Sequence, residues 1–288
     1  MKGRGQIVFI GKRIVSLCAV VGVSGVLLLP GRSGAQIITM IDGGSTAVLD
    51  AGSSDGMKNW SVGGQDQLKQ QWFWYRIGSG GVASPINSIG PASITTFLGP
   101  DGINEVVATY QNTTLTLTID YLLSGGGVGS GSADITESIS AVNNTGASLD
   151  FHFFQYSDFN LLGDGSSDNV QLFGMPGSWS FVQQTAGSSG IGEAIVMPFA
   201  NHGEAAYFGT TLAELNGTSG LTLNDNSIAG PGDVTWALQW DATVPVGGMF
   251  DLTKDKSLFI QVVPEPSTVA LIALGLGAWG WARRRQRS

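Results

Sequence analysis

The sequence predicts an all-β protein, an antiparallel β-sandwich or a jelly-roll-like domain. Three observations carry that prediction. Apolar residues alternate with period two in several segments, glycine-rich stretches punctuate them, and no long amphipathic helical pattern stands out.

The clearest alternation is "TTLTLTIDYLL", which sets Leu115, Leu117, Ile119 and Tyr121 on one face and Thr116, Thr118 and Asp120 on the other. "VTWALQW" repeats it with Val234, Trp236, Leu238 and Trp240, and "SLFIQVV" with Leu258, Ile260 and Val262. "QWFWYRI", "ADITESISAV", "LDFHFFQYS" and "WSFVQ" are rich in β-branched or aromatic residues and read as further strands. "DQLKQQ" and "TLAELNG" each read as one or two helical turns. Between these segments lie "GSGG", "SGGGVGSGS", "NNTG", "GDGSSDN", "GSSG" and "AGPGD", where glycine supplies turns and stops helices. No fixed-period repeat and no proline-rich linker divides residues 36–263, which read as one exported β domain.

The two ends have a different character. Lys2, Arg4, Lys12 and Arg13 precede an apolar run from Ile14 to Leu29, followed by Pro30 and the small residues Ser33, Gly34 and Ala35. That order predicts a secretory signal peptide over residues 1–35, cleaved before Gln36. Cys18, the sole cysteine, lies inside it, so the mature domain is expected to hold together by core packing without disulfides. At the other end an apolar run from Val269 to Ala282 precedes Arg283, Arg284, Arg285 and Arg287. The run is shorter than the roughly 20 residues of a typical span. Its arginines favour the cytoplasmic side, which predicts a short transmembrane helix held with the domain outside.

Charge narrows the partners. Residues 36–263 carry five cations, Lys58, Lys69, Arg76, Lys254 and Lys256, against 21 carboxylates, a formal charge of −16. A surface this acidic repels nucleic acid and anionic lipid. No nucleic-acid partner is expected.

Catalytic motifs are few. The only histidines are His152, which alternation puts beside Asp150, Phe154 and Tyr156, and His202. "GSSDG" at residues 52–56 fits the G-x-S-x-G string, but glycine and polar residues follow where a nucleophile elbow needs a helix. There is no phosphate loop, no H-E-x-x-H and no Cys/His metal cluster. A non-enzymatic protein with no cofactor is therefore expected. A secreted carbohydrate-active enzyme with paired carboxylates is a further alternative, since such a pair is defined in space.

Two clusters invite binding readings. Asp158, Asn160, Asp164 and Asp168 sit in "SDFNLLGDGSSDN", which reads either as a solvated turn or as a loop offering oxygen ligands to calcium. Trp72 and Trp74 alternate with Phe73 and Tyr75, which reads either as a central strand buried on both faces or as an aromatic platform for sugar rings.

The C-terminal segment resembles the PEP-CTERM sorting signal. Val263, Pro264, Glu265 and Pro266, a Ser-Thr step, the short apolar helix and the arginine cluster stand in the order of that signal over residues 264–288. The resemblance implies recognition through Pro264, Glu265 and Pro266 and transient inner-membrane retention through Arg283, Arg284, Arg285 and Arg287. It implies processing by an exosortase-type enzyme, and a bacterial cell surface or extracellular polysaccharide matrix as destination. The expected role is that of an envelope or matrix protein, with a carbohydrate-binding module as the alternative.

Overall fold

The computed structural model describes residues 36–261. The expected signal peptide and the Pro-Glu-Pro, apolar and arginine elements of the tail lie outside the described residues.

The described chain folds into 18 strands and one short α-helix. In order these are β1 (Ile37–Asp42), β2 (Ser45–Asp50), β3 (Gly56–Val62), β4 (Gln65–Asp66), β5 (Leu68–Ile77), β6 (Ser84–Pro85), β7 (Ser93–Leu98), β8 (Ile103–Gln111) and β9 (Leu115–Gly125). There follow β10 (Ser132–Asn143), β11 (Leu149–Phe159), β12 (Asp168–Phe173), β13 (Phe181–Ala186), β14 (Ser189–Met197), β15 (His202–Tyr207), α1 (Thr210–Gly217), β16 (Ile228–Gly232), β17 (Val234–Val244) and β18 (Met249–Phe259).

Two sheets form. The first runs β1-β2-β3-β5-β11-β17-β15, with β4 beside β3 and β6 beside β5. The second runs β16-β12-β13-β14-β18-β10-β9-β8-β7. Pairing is antiparallel except for a short parallel contact of Gly56 and Met57 in β3 with Gln71 in β5. The result is the antiparallel two-sheet sandwich that the alternation predicts.

The period-two segments fall where expected. In β9 and β10 every second side chain is buried. In β17 both faces are buried from Val234 to Trp240, because its second face is also covered. Three segments differ from the sequence reading, the first being "AGPGD", expected as a turn, whose residues 229–232 lie in strand β16. "DQLKQQ" is strand, not helix, since Leu68–Gln71 begin the central strand β5. "SLFIQVV" ends its strand at Phe259, and the strand starts upstream at Met249. "GSSDG" is the turn between β2 and β3, with no helix after it, as expected. "TLAELNG" does form α1.

Five tryptophans, Trp60, Trp72, Trp74, Trp236 and Trp240, are fully buried among Phe73, Phe151, Phe153 and Phe159. Each buried apolar side chain of this size contributes roughly 1.5–3 kcal/mol. A core this aromatic offsets the missing disulfides.

The centre of the sandwich is also charged. Glu137 (β10), Glu193 (β14), Lys254 and Lys256 (both β18) are all completely buried. Lys254 contacts Glu137 and lies 3.3 Å from Glu193, and Lys256 contacts Glu137. Gln71 and Gln155 of the first sheet complete the network, donating to Glu137 at 2.9 Å and Glu193 at 2.8 Å. Two cations and two carboxylates balance one another, as a dry interior requires.

Candidate functional site

The first sheet has an inner face toward the second sheet and an outer face away from it. Gln71 and Phe73 of β5 point inward, since Gln71 bonds Glu137 and the Phe73 ring lies 4.9 Å from Lys254 Nζ. Strand alternation then puts Trp74 and Arg76 on the outer face. Register carries the face across three neighbouring strands. Arg76 pairs with His152 and His152 with Asp241; Trp74 pairs with Phe154, Phe154 with Gln239, and Gln239 with His202. Trp72 pairs with Tyr156, Tyr156 with Ala237 and Ala237 with Glu204.

Two segments of the same chain cover that face. Trp72 Nε1 donates to Asn87 Oδ1 at 3.2 Å, in the turn after β6. Trp74 Nε1 donates to Asn216 Oδ1 of α1 at 3.2 Å. Arg76 Nη1 donates to Leu221 O at 2.7 Å, and its Nε donates to Gly78 O at 3.0 Å. Glu204 accepts from Thr211 Oγ1 at 2.5 Å, and Gln239 Oε1 accepts from Leu223 N at 2.9 Å. The two covering segments are joined to each other, Gly220 N donating to Gly81 O at 2.7 Å and Gly81 N to Ser219 Oγ at 3.0 Å. Leu215, Leu221 and Leu223 are buried beneath this cover.

Trp72 and Trp74 are therefore not an exposed sugar platform. Their rings are buried and their N–H groups are satisfied within the chain. Of the two sequence readings, the doubly buried central strand is the one found.

At the uncovered end of the face lies a row of histidines and carboxylates. His152 Nδ1 is 2.5 Å from Asp241 Oδ1, and His152 Nε2 is 3.4 Å from Asp150 Oδ1. His202 Nδ1 is 2.9 Å from Asp225 Oδ2, and its Nε2 is 3.7 Å from Asp241 Oδ2. Asp241 thus stands between the only two histidines of the chain. It is held there by Gln239 Nε2, 2.8 Å from Oδ1, and by its own N–H to Asn201 Oδ1 at 2.9 Å. The side chains of His152, His202, Asp225 and Asp241 keep 13 to 29% of their surface. Burial alone would raise the Asp225 carboxyl, but hydrogen bonds from His202, Trp179 and Gly203 hold it below the usual range. Burial lowers Arg76, which Asp241 and Asp150 pull back up.

Sequence reasoning found His152 and its neighbour Asp150 but no partner for either histidine. Asp241 was missed because its role depends on register, which local alternation does not provide. Alternation puts Asp241 on the face of Gln239, opposite Trp240, and this is the one local signal that was available.

The acidic loop carries hydrogen bonds of its own. Among the described residues no group of three or more His, Cys, Asp or Glu is placed to hold a metal ion. Asp168 instead braces the loop, its Oδ2 accepting from Leu161 N at 3.0 Å and Gln184 Nε2 at 2.7 Å. Asp164 caps its own turn by accepting from Ser166 N at 3.0 Å. The side-chain oxygens Asp158 Oδ1, Asn160 Oδ1 and Asp168 Oδ1 are buried without a hydrogen-bond partner. Asp158 sits buried in β11, where burial and then Asp233 push its carboxyl up to about 7. Two shallow hollows of 280 and 340 Å³ lie on the second sheet, away from the histidines.

This two-sheet sandwich resembles the galactose mutarotase-like fold. The structure is similar to a galactose mutarotase related enzyme from Lactobacillus acidophilus, with a TM-score of 0.53 and 7% identity over 79% of this chain and 98% of that one. It is similar to a putative aldose 1-epimerase from Escherichia coli, with a TM-score of 0.51 and 9% identity over 80% of this chain and 100% of that one. It also matches part of a bacterial glucoamylase complexed with acarbose, at a TM-score of 0.52 and 11% identity, over 88% of this chain but 37% of the enzyme. Identities this low define the fold alone. No curated protein matches the chain in sequence.

The tail supplies the second part of the identification. Residues 262–286 match the PEP-CTERM protein-sorting motif, which marks an exosortase substrate. The motif implies an exported, membrane-sorted protein that is processed by an exosortase.

Proposed function

We propose that this is a non-enzymatic envelope or matrix protein, sorted by its tail, whose mutarotase-like sandwich serves as a folded structural unit. The observation that carries this reading is the covered outer face. Trp72, Trp74, Phe154 and Tyr156 lie under the chain's own α1 and loops, and the Arg76 guanidinium is bound to backbone carbonyls. A sugar ring has no access to that aromatic floor, and a pocket for a small ligand needs a largely pre-formed concavity. Cell-surface or matrix placement rests on the sorting motif.

A second reading is favoured by the His152–Asp241–His202 row. Half-buried imidazoles held by carboxylates suit hydrogen bonding to sugar hydroxyls or acid–base chemistry. The structural neighbours named above include a mutarotase-related enzyme and a glucoamylase. A glycan array probed with the full chain separates the two. Uniform absence of binding is expected. Binding that disappears in Asp241→Asn transfers the function to the histidine row.

A further inference from the structure

The sandwich interior holds a lysine, a glutamine and a glutamate in a closed triangle. Lys256 Nζ donates to Gln71 Oε1 at 2.6 Å. Gln71 Nε2 donates to Glu137 Oε1 at 2.9 Å, and Lys256 Nζ contacts that same oxygen. All three side chains are completely buried. Gln71 belongs to the first sheet, Lys256 and Glu137 to the second, and 185 residues separate Lys256 from Gln71.

We propose that Lys256 and Gln71 are a self-crosslinking pair, joined by an isopeptide bond that Glu137 promotes and that ties the two sheets together. The geometry assigns each role. An amine beside an amide carbonyl in a water-free site is positioned for attack, and competing hydrolysis is excluded. A carboxylate touching both nitrogens is placed to move a proton from one to the other.

The step balances without a co-reactant. Burial lowers the Lys256 ammonium to about 8. Against its own burial, the Glu137 carboxyl is held down at about 2 by Lys254 and Lys256. The transfer of a proton from Lys256 to Glu137 is therefore an uphill first step that geometry, not acidity, favours. The freed Nζ lone pair forms a bond to Gln71 Cδ, and the carbonyl π pair moves onto Oε1. Glu137 relays the second Nζ proton to Nε2, the Cδ–Nε2 bond breaks, and ammonia leaves as the carbonyl re-forms. The proton first taken from the ammonium stays on Glu137. One cation and one anion disappear together, so the cluster stays neutral, with Lys254 still 3.3 Å from Glu193. Lys254 is not the nucleophile, because its polar contacts are to the two carboxylates and not to an amide.

An exported domain with no cysteine outside its signal segment gains from such a bond what a disulfide would supply, closure of a long loop in the unfolded chain.

Mass spectrometry of the full chain tests this. Wild type is expected to be lighter by one ammonia, about 17 Da, and to yield a branched tryptic peptide that joins Gln70–Arg76 to the segment containing Lys256. Cyclisation of an N-terminal Gln36 also loses ammonia, so the branched peptide is the deciding readout. Lys256→Arg keeps a cation in the cluster and should restore the full mass, as should Glu137→Gln. Wild-type chain whose Lys256 is acylated at a free ε-amine after unfolding, with no branched peptide, overturns the proposal whatever the variants do.

Discussion

His152 and Asp241 face each other across β11 and β17, Nδ1 to Oδ1 at 2.5 Å, and the same carboxylate lies 3.7 Å from His202. One aspartate therefore organises every imidazole in the chain. Asp241→Ala leaves His152 and Gln239 without their shared acceptor and takes away the carboxylate 3.7 Å from His202. It should destabilise the fold by about 1–3 kcal/mol, read as a lower urea midpoint with unchanged slope. A midpoint within error of wild type would show that the row is not structural.

Gly56 opens β3 at a φ of +60°, with the Trp72 ring and the Gln71 carbonyl where a side chain would stand. A methyl group there collides with the indole and with a backbone carbonyl. Gly56→Ala should cost at least about 2 kcal/mol, from left-handed strain and overpacking combined. Gly63 has a similar φ but open space around it, so Gly63→Ala isolates the left-handed strain and should cost about 1–2 kcal/mol, less than Gly56→Ala.

The interior ion network predicts non-additivity. Lys254→Met strands Glu193 without its cation and should cost about 3–5 kcal/mol. Adding Glu193→Gln removes the stranded charge while leaving an acceptor for Gln155. The double variant should recover at least about 1 kcal/mol relative to the sum of the single changes. Strict additivity in chemical denaturation would mean that the two residues do not interact.

Asp158 sets a pH dependence. Its folded carboxyl is raised to about 7, chiefly by burial and then by Asp233, above its ordinary value of 3.8. The folded state therefore binds the proton more tightly than the unfolded state. The stabilising contribution is complete below pH 3.8 and is lost as pH rises through about 7, amounting to at most about 4 kcal/mol. Asp158→Asn should flatten that slope and raise stability at pH 8. An unchanged difference between pH 5 and pH 8 would contradict this assignment.

The strands were legible where one face is dry and the other wet, as in "TTLTLTIDYLL", because alternation reports half-burial directly. Legibility failed where charge lies inside. "MFDLTKDKSLF" alternates perfectly in β18, with Lys254 and Lys256 on the buried face, but lysine reads as solvent-facing unless its carboxylate partners are known. Those partners come from β10 and β14, more than 50 residues away in sequence. The cover over Trp72 and Trp74 was illegible for the same reason. Asn87 and Asn216 look like ordinary loop and helix-end residues until the fold sets them against the two indoles. The sorting tail was legible in full, because its signal is a local order of residues.

The proposed function requires that neither the covered aromatic floor nor the open histidine end of that face does sugar chemistry. Exchange NMR of the anomers of glucose and galactose, with and without the full chain, tests it most directly. The account predicts interconversion at the rate of buffer alone, in wild type and in Asp241→Asn alike. Acceleration by wild type that Asp241→Asn abolishes would contradict it and make the His152–Asp241–His202 row an active site.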